Sequence, residues 1–231
     1  MQIKQHVPNI ITLLNLFCGC IALIFVTHQD FLSAFFFVSL GIFFDFFDGF
    51  FARLFRVSSP LGLQLDSLAD MITSGVVPGL TMFMLLSKDG SSTTDIVPYF
   101  GFIITLGACY RLANFNIDTR QSDSFIGLPT PANALLIMSL PLIMQGELHA
   151  TVTDLLSNQW FLLLITVLSA FIMNAEIALF SLKVKKMSIK DNLLQVIFLS
   201  LSLILILFFK FLGVAMVILL YILLSILRKL F

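Results

Sequence analysis

The sequence predicts an all-α integral membrane protein of about eight transmembrane helices, with both termini cytoplasmic. Three observations carry that expectation. Hydrophobic residues fill 59% of the 231 positions and charged residues only 11%, against about a quarter charged in soluble domains, and the mean hydropathy is +1.05. Apolar runs close to the roughly 20 residues that a bilayer requires recur along the chain. Lysine and arginine gather at alternate ends of those runs, as membrane orientation demands.

The runs are read in order. The first, roughly 9–27, follows "MQIKQHVP" and carries a polar notch at Asn15. Its single early lysine and lack of a small-residue cleavage site read as a retained helix rather than a removed leader. The second and third, roughly 31–55 and 67–87, are divided by "VSSPLG", where Pro60 and Gly62 fold the chain back so that the two run antiparallel. The fourth, roughly 96–117, follows "SKDGSSTTD"; the fifth, 131–147, follows "DTRQSDSFIGLPTP". The sixth, 158–181, follows "GELHATVTDLLSNQ". The basic stretch "KVKKMSIKD" leads into 192–209 and 211–229, a final pair split by a tight break near Lys210 and Gly213. One domain is expected, a core over 1–181 with 182–231 as linker and terminal pair.

With the N-terminus inside, all of the 13 basic residues except Lys88 and Lys210 fall on the cytoplasmic side, among them Lys4, Arg53, Arg56, Arg111, Arg120 and the cluster Lys183, Lys185, Lys186 and Lys190. The net charge of zero provides no basic surface for nucleic acid. Cys18, Cys20 and Cys109 have no metal-type spacing and imply no disulfide framework. His6, His28 and His149 lie near helix ends as interfacial residues.

Against this background "DFFDGFFARLFRVSSPLGLQLDSLAD", residues 45–70, stands apart. Asp45 and Asp48 share one helical face, and Asp66 and Asp70 are stacked one turn apart on the next helix. Salt bridging or loop solvation accounts for Asp118 and Asp123 in a polar loop but not for Asp45, flanked by phenylalanines in mid-helix. Four converging carboxylates repel one another unless protons or cations intervene. Oxygen-only donors suit Mg²⁺ or Mn²⁺, and two such ions form a clamp for phosphoryl displacement. Gly49, Ala52 and Gly62 leave room beside the acids, Arg53 stands one turn below as a phosphate contact, and Arg56 reads as a headgroup anchor.

The spacing D-x2-D-G-x2-A-R-x8-G-x3-D-x3-D resembles the signature of the CDP-alcohol phosphotransferases at all eight fixed positions. That resemblance implies a six-helix core and displacement of CMP from a CDP-linked donor by an alcohol. It implies that Asp45, Asp48, Asp66 and Asp70 hold two divalent cations, Mg²⁺ or Mn²⁺, and that Asp70 also takes the acceptor proton. Gly49, Ala52, Arg53 and Gly62 would line the CDP pocket. The early "PNIITLLN" resembles the family's first helix, placing Asn9 and Thr12 near the nucleotide. A homodimer is likewise an expectation of the family.

"CYRLANFNID" and "SFIGLPTPANA" resemble the bacterial type II phosphatidylserine synthases, with Asn114 where an arginine is common. The implied substrates are CDP-diacylglycerol and L-serine, in a bacterial inner membrane with the site facing the cytoplasm. Arg111, Asn114 and Asn116 are the candidates for holding the acceptor, since a carboxylate calls for a guanidinium fork or amide. "GLPTP" reads as a rigid entry to the fifth helix that also walls the pocket. Asn174 and Glu176 are polar in the sixth run, as packing contacts or pocket residues. Glycerol phosphate or inositol are rival acceptors, the former wanting more basic residues than Arg111 and Arg120. A cation-coupled transporter also places acids in a membrane, but no repeated halves are visible.

Overall fold

In hydrocarbon the backbone must satisfy its own hydrogen bonds, and the computed structural model is built of helices accordingly. It describes residues 3–57, 59–87, 95–117, 126–146, 150–180 and 192–230, with backbone only for 3–5, 150 and 228–230. The basic linker at Lys183, Lys185, Lys186 and Lys190, the loop with Asp118, Arg120 and Asp123, and Lys88 and His149 lie outside the described residues.

Helix α1 spans Ile3–Thr27 and α2 spans Phe31–Phe55. Between them Gln29 adopts a left-handed conformation and Asp30 caps α2 by accepting from the Ser33 amide. Those Ser33 bonds hold the Asp30 carboxyl below the usual carboxylate range. Helix α2 ends at Arg56, again left-handed at φ 52°, while the Val57 amide donates back to the Ala52 carbonyl. This wrapped end satisfies carbonyls that would otherwise be orphaned.

Helix α3, Pro60–Asp70, starts immediately afterwards. Ser59 Oγ accepts from the Gly62 amide at 2.9 Å and Pro60 occupies the first turn, where its missing N–H costs nothing. Pro60 and Gly62 therefore lie inside the helix, and the break is shorter than "VSSPLG" suggests. A π-turn over Met71–Val76 then leads into α4, Val77–Leu86. Pro78 removes the amide that would bond the Ser74 carbonyl in a regular helix, and the Val77 amide instead reaches Ile72.

A 3-10 turn, Val97–Phe102, precedes α5, Ile103–Ile117. Ala108 packs where Gly75 leaves space, and Thr105 Oγ1 donates to the Gly75 carbonyl at 3.0 Å. Helix α6, Thr130–Met144, is buried along nearly its whole length. The short α7, Ala150–Leu156, lies in a stretch whose polarity reads as a break. Helix α8, Gln159–Asn174, ends seven residues before the sixth run does. Ala178 beyond it forms an isolated antiparallel bridge with Ile126, so Glu176 stands outside any helix while Asn174 closes α8.

The last helix, α9, covers Leu193–Leu230 but is broken at Lys210, whose backbone is non-helical. The segments 193–209 and 211–230 double back on each other. A Cβ on Gly213 would fall 2.3 Å from the Leu205 carbonyl oxygen, so only glycine permits this approach. The anticipated division of the final pair is thus present.

Two apolar clusters form the interior. One joins α4, α5, α6, α8 and the second half of α9; the other joins α1, α2, α4 and α6. Helices α4 and α6 belong to both and join them. Large apolar side chains such as Phe17, Phe36, Phe46, Leu106 and Leu164 point outward, the surface of a protein solvated by lipid. Among the described residues His6–Thr27, Phe31–Phe55, Pro60–Leu86 and Leu193–Leu227 are long and apolar enough to cross a membrane. The 15-residue α6 and 16-residue α8 are shorter apolar helices.

Replacing Ser59 by alanine removes the α3 cap at a cost of about 1 kcal/mol. The expected result is a thermal midpoint a few degrees lower for the protein in detergent, measured against wild type.

Candidate active site

The site is assembled where the end of α2 meets the start of α3. Helical spacing aligns Asp45 with Asp48, and the start of α3 at Pro60, so soon after α2 ends, sets Asp66 opposite them. Carboxylate oxygens of Asp45, Asp48 and Asp66 all lie within 4.8 Å of one another. Asp48 is buried and the other two are half-buried. Such a trio is close enough to share a cation, and an all-oxygen donor set is one that Mg²⁺ or Mn²⁺ favours. Asp70, 9% exposed, stands one turn further into the bundle and outside that trio.

Helix α1 meets these acids from the third side. Thr12 Oγ1 donates to Asp48 Oδ2 at 2.5 Å and lies 3.0 Å from the Pro8 carbonyl. One turn on, Asn15 Nδ2 donates to Asp70 Oδ1 at 3.1 Å. Asn15 is fully buried, and its main-chain carbonyl accepts from Thr73 Oγ1 of the π-turn at 3.2 Å. The notch at Asn15 is visible in the sequence, but nothing local indicates that it touches Asp70.

Beside the trio lies a pocket of about 430 Å³ between α1, α2 and α3. Asn9, Thr12, Gly49, Ala52 and Gly62, five of the six residues expected around CDP, line it, with Asp48 and Asp66 in its wall. The sixth, Arg53, is exposed and does not line the pocket. Its guanidinium nitrogens lie 3.6 and 3.9 Å from where a Gly49 Cβ would stand, so it folds over the pocket's edge. His6, Ser59, Leu61 and Leu63 also face the pocket, giving it polar and apolar walls; none of these four is marked by the motif.

The acceptor candidates on α5 separate. Asn116 Nδ2 donates to Ser67 Oγ at 2.8 Å, directly against the α3 turn between Asp66 and Asp70. Asn114 is half-buried in the last turn of α5. Arg111 is buried, and its Nη1 donates at 2.7 Å to the Ile126 carbonyl and at 2.7 Å to the Met173 carbonyl. It therefore knots the segment before α6 to the end of α8. Gly127 sits inside the knot with φ +72°, its amide donating to Ile177 at 2.8 Å.

The family model for CDP-alcohol phosphatidyltransferase matches residues 5–172. Among curated proteins, a CDP-diacylglycerol–serine O-phosphatidyltransferase of Helicobacter pylori (strain 26695) is 32% identical over 200 residues, 84% of this chain and 80% of its own length. The protein of that name from Bacillus subtilis is 33% identical over 140 residues, 59% of this chain and 75% of the relative. One from Saccharomyces cerevisiae is 35% identical over 156 residues, 61% of this chain and 55% of the relative.

A methyl group on Gly127 would meet the Met173 carbonyl oxygen at 2.3 Å and Arg111 Nη1 at 2.9 Å. Gly127→Ala is expected to destabilise the protein by about 1–3 kcal/mol through backbone strain and by loosening the Arg111 knot. Thermal unfolding in detergent, compared with Gly146→Ala at an uncrowded glycine, measures the difference.

Proposed function

The chain belongs to the CDP-alcohol phosphatidyltransferase family, and from that premise we propose that it transfers the phosphatidyl group of CDP-diacylglycerol to the hydroxyl of L-serine. Phosphatidylserine and CMP are the products. The observation that carries the reading is the convergence of Asp45, Asp48 and Asp66 at the wall of a pocket wide enough for a nucleotide. Serine as acceptor draws its support from the names of the relatives and from the α5 and "GLPTP" segments.

In the proposed mechanism Asn9, Thr12, Gly49, Ala52 and Gly62 receive the cytidine and diphosphate, the small side chains allowing the backbone to approach it. Arg53 at the rim adds charge for a phosphate. Asp45, Asp48, Asp66 and Asp70 would hold two divalent cations, Mg²⁺ or Mn²⁺, which supply charge neutralisation at the diphosphate and the reacting phosphoryl group. Asp70 takes the proton of the serine hydroxyl. A bond forms between that oxygen and the lipid-bearing phosphorus as the bond to the CMP phosphate breaks, and CMP leaves with the electron pair. Asn116 and Asn114 offer amides to the acceptor. Arg111 has Nη1 committed to two carbonyls, which leaves Nε and Nη2 for the acceptor carboxylate. The basic residues at this end of the bundle, Arg53, Arg56 and Arg111, support a site on the cytoplasmic face of a bacterial inner membrane.

Purified protein supplied with labelled serine, CDP-diacylglycerol and Mg²⁺ or Mn²⁺ is expected to release CMP and labelled lipid in equal amounts. Label entering lipid only from glycerol phosphate or inositol would overturn serine as acceptor; failure to release CMP with any of the acceptors would overturn the reaction class. Chelation of divalent ions should abolish turnover, and either ion should restore it. Asp70→Asn should lower CMP release by at least about 100-fold, the contribution typical of a positioned base, and wild-type release would sink that assignment. Arg111→Lys should raise the serine KM several-fold while the CDP-diacylglycerol KM holds; an unchanged serine KM would confine Arg111 to its structural knot.

A further inference from the structure

We propose that Asn15 is a positioning residue that fixes the orientation of Asp70, an inference that rests on the reading of Asp70 as the group that takes the acceptor proton. Asn15 is completely buried in α1, on a different helix from the motif, and most buried side-chain polar groups are hydrogen-bonded. Its Nδ2 donates to Asp70 Oδ1 at 3.1 Å. The orientation of that amide is dictated by chemistry, because the reverse placement would set a carbonyl oxygen against a carboxylate oxygen.

Three further observations show how closely α1, α2 and the π-turn pack around Asn15. The Asn15 main-chain carbonyl accepts from Thr73 Oγ1 at 3.2 Å, tying α1 to the π-turn that directly follows Asp70. A Cβ on Gly41 of α2 would stand 2.8 Å from Asn15 Oδ1 and 2.8 Å from Thr73 Cγ2. A Cβ on Gly19 would stand 2.5 Å from Thr73 Oγ1. The two glycines let α1, α2 and the π-turn close to a separation at which a side chain as short as asparagine reaches Asp70. Asn15 Oδ1 lies on the Gly41 side and Nδ2 on the Asp70 side.

The consequence concerns which carboxylate oxygen is free. With Oδ1 engaged by Asn15, Asp70 presents Oδ2 to the reacting hydroxyl, in one rotamer. The pairing parallels that of Thr12 with Asp48 Oδ2 one turn earlier on α1. Loss of the Asn15 donor leaves Asp70 chemically intact but able to turn, which lowers the rate of the chemical step and spares donor binding.

The test compares Asn15→Leu, close in volume but without a donor, with wild type. The expected result is a kcat for CMP release lower by about 10–100-fold, the range for a hydrogen bond to a charged group. The KM for CDP-diacylglycerol should stay within about 2-fold, and calorimetric titration with CDP and Mn²⁺ should still find full site occupancy. In an Asp70→Asn background the same substitution should add less than about 2-fold. Full wild-type kcat, a loss confined to KM, a fall in site occupancy that matches the fall in kcat, or losses that multiply in the double variant would each overturn the proposal. Should Asn15→Leu not fold, Gly41→Ala presses on Oδ1 with the donor intact and should lower kcat in the same sense, again without altering site occupancy. Asp70→Asn alone at the wild-type rate would defeat the base assignment itself, an outcome separate from failure of the Asn15 effect while Asp70→Asn is inactive.

Discussion

Carboxylates in an apolar bundle must each meet a donor or a cation, and the rest of this structure depends on how that need is met. Helix α1 supplies one donor to an acid on α2, through Thr12, and one to an acid on α3, through Asn15. An unpaired buried charge is among the most destabilising features a fold can hold, so α1 is as much part of the site as the helices that carry the motif. The remaining proximity of Asp45, Asp48 and Asp66 is repulsive by itself, which is the physical reason that the trio suits a cation.

The surrounding architecture keeps those donors at the right distance. The π-turn inserts one residue's worth of slack at Pro78 and turns Thr73 toward α1 while Gly75 faces α5. Helix α5 then packs along the same rod, its far end touching Ser67 through Asn116. Arg111 binds the entry of α6 to the exit of α8, closing the bundle on the side away from α1. In this way the two apolar clusters, joined along α4 and α6, act as a frame behind a polar end.

Much of this was legible in the residues, for identifiable reasons. Hydrophobic length located most of the helices, and the i, i+3 and i, i+4 spacing of the aspartates set their faces before any tertiary information. The split at Lys210 followed from a cation and a glycine in an otherwise lipid-like run. Other features were hidden because their partners are remote. Arg111 bonds carbonyls 15 and 62 residues away, and Asn15 bonds an acid 55 residues away; no local pattern encodes either. The π-turn was invisible because a proline in an apolar run equally well opens a new helix. Helix α7 was missed since its threonines and Asp154 carry the composition of a loop. The start of α3 is earlier than apolar length indicates because Pro60 and Gly62 resemble breakers, whereas a serine before proline makes them the first turn.

The pocket's mixed walls have a consequence for how the protein meets its substrate. Leu61 and Leu63 line the same opening as Asp48 and Asp66, so one mouth borders both hydrocarbon and charge. On the proposed reading, the acyl chains of the donor need never leave the bilayer while its headgroup enters. Encounter is then a search in two dimensions, and the quantity that sets saturation is the donor's mole fraction among membrane lipids. Diluting the membrane with inert lipid would slow such a catalyst even when the bulk concentration of donor is held constant.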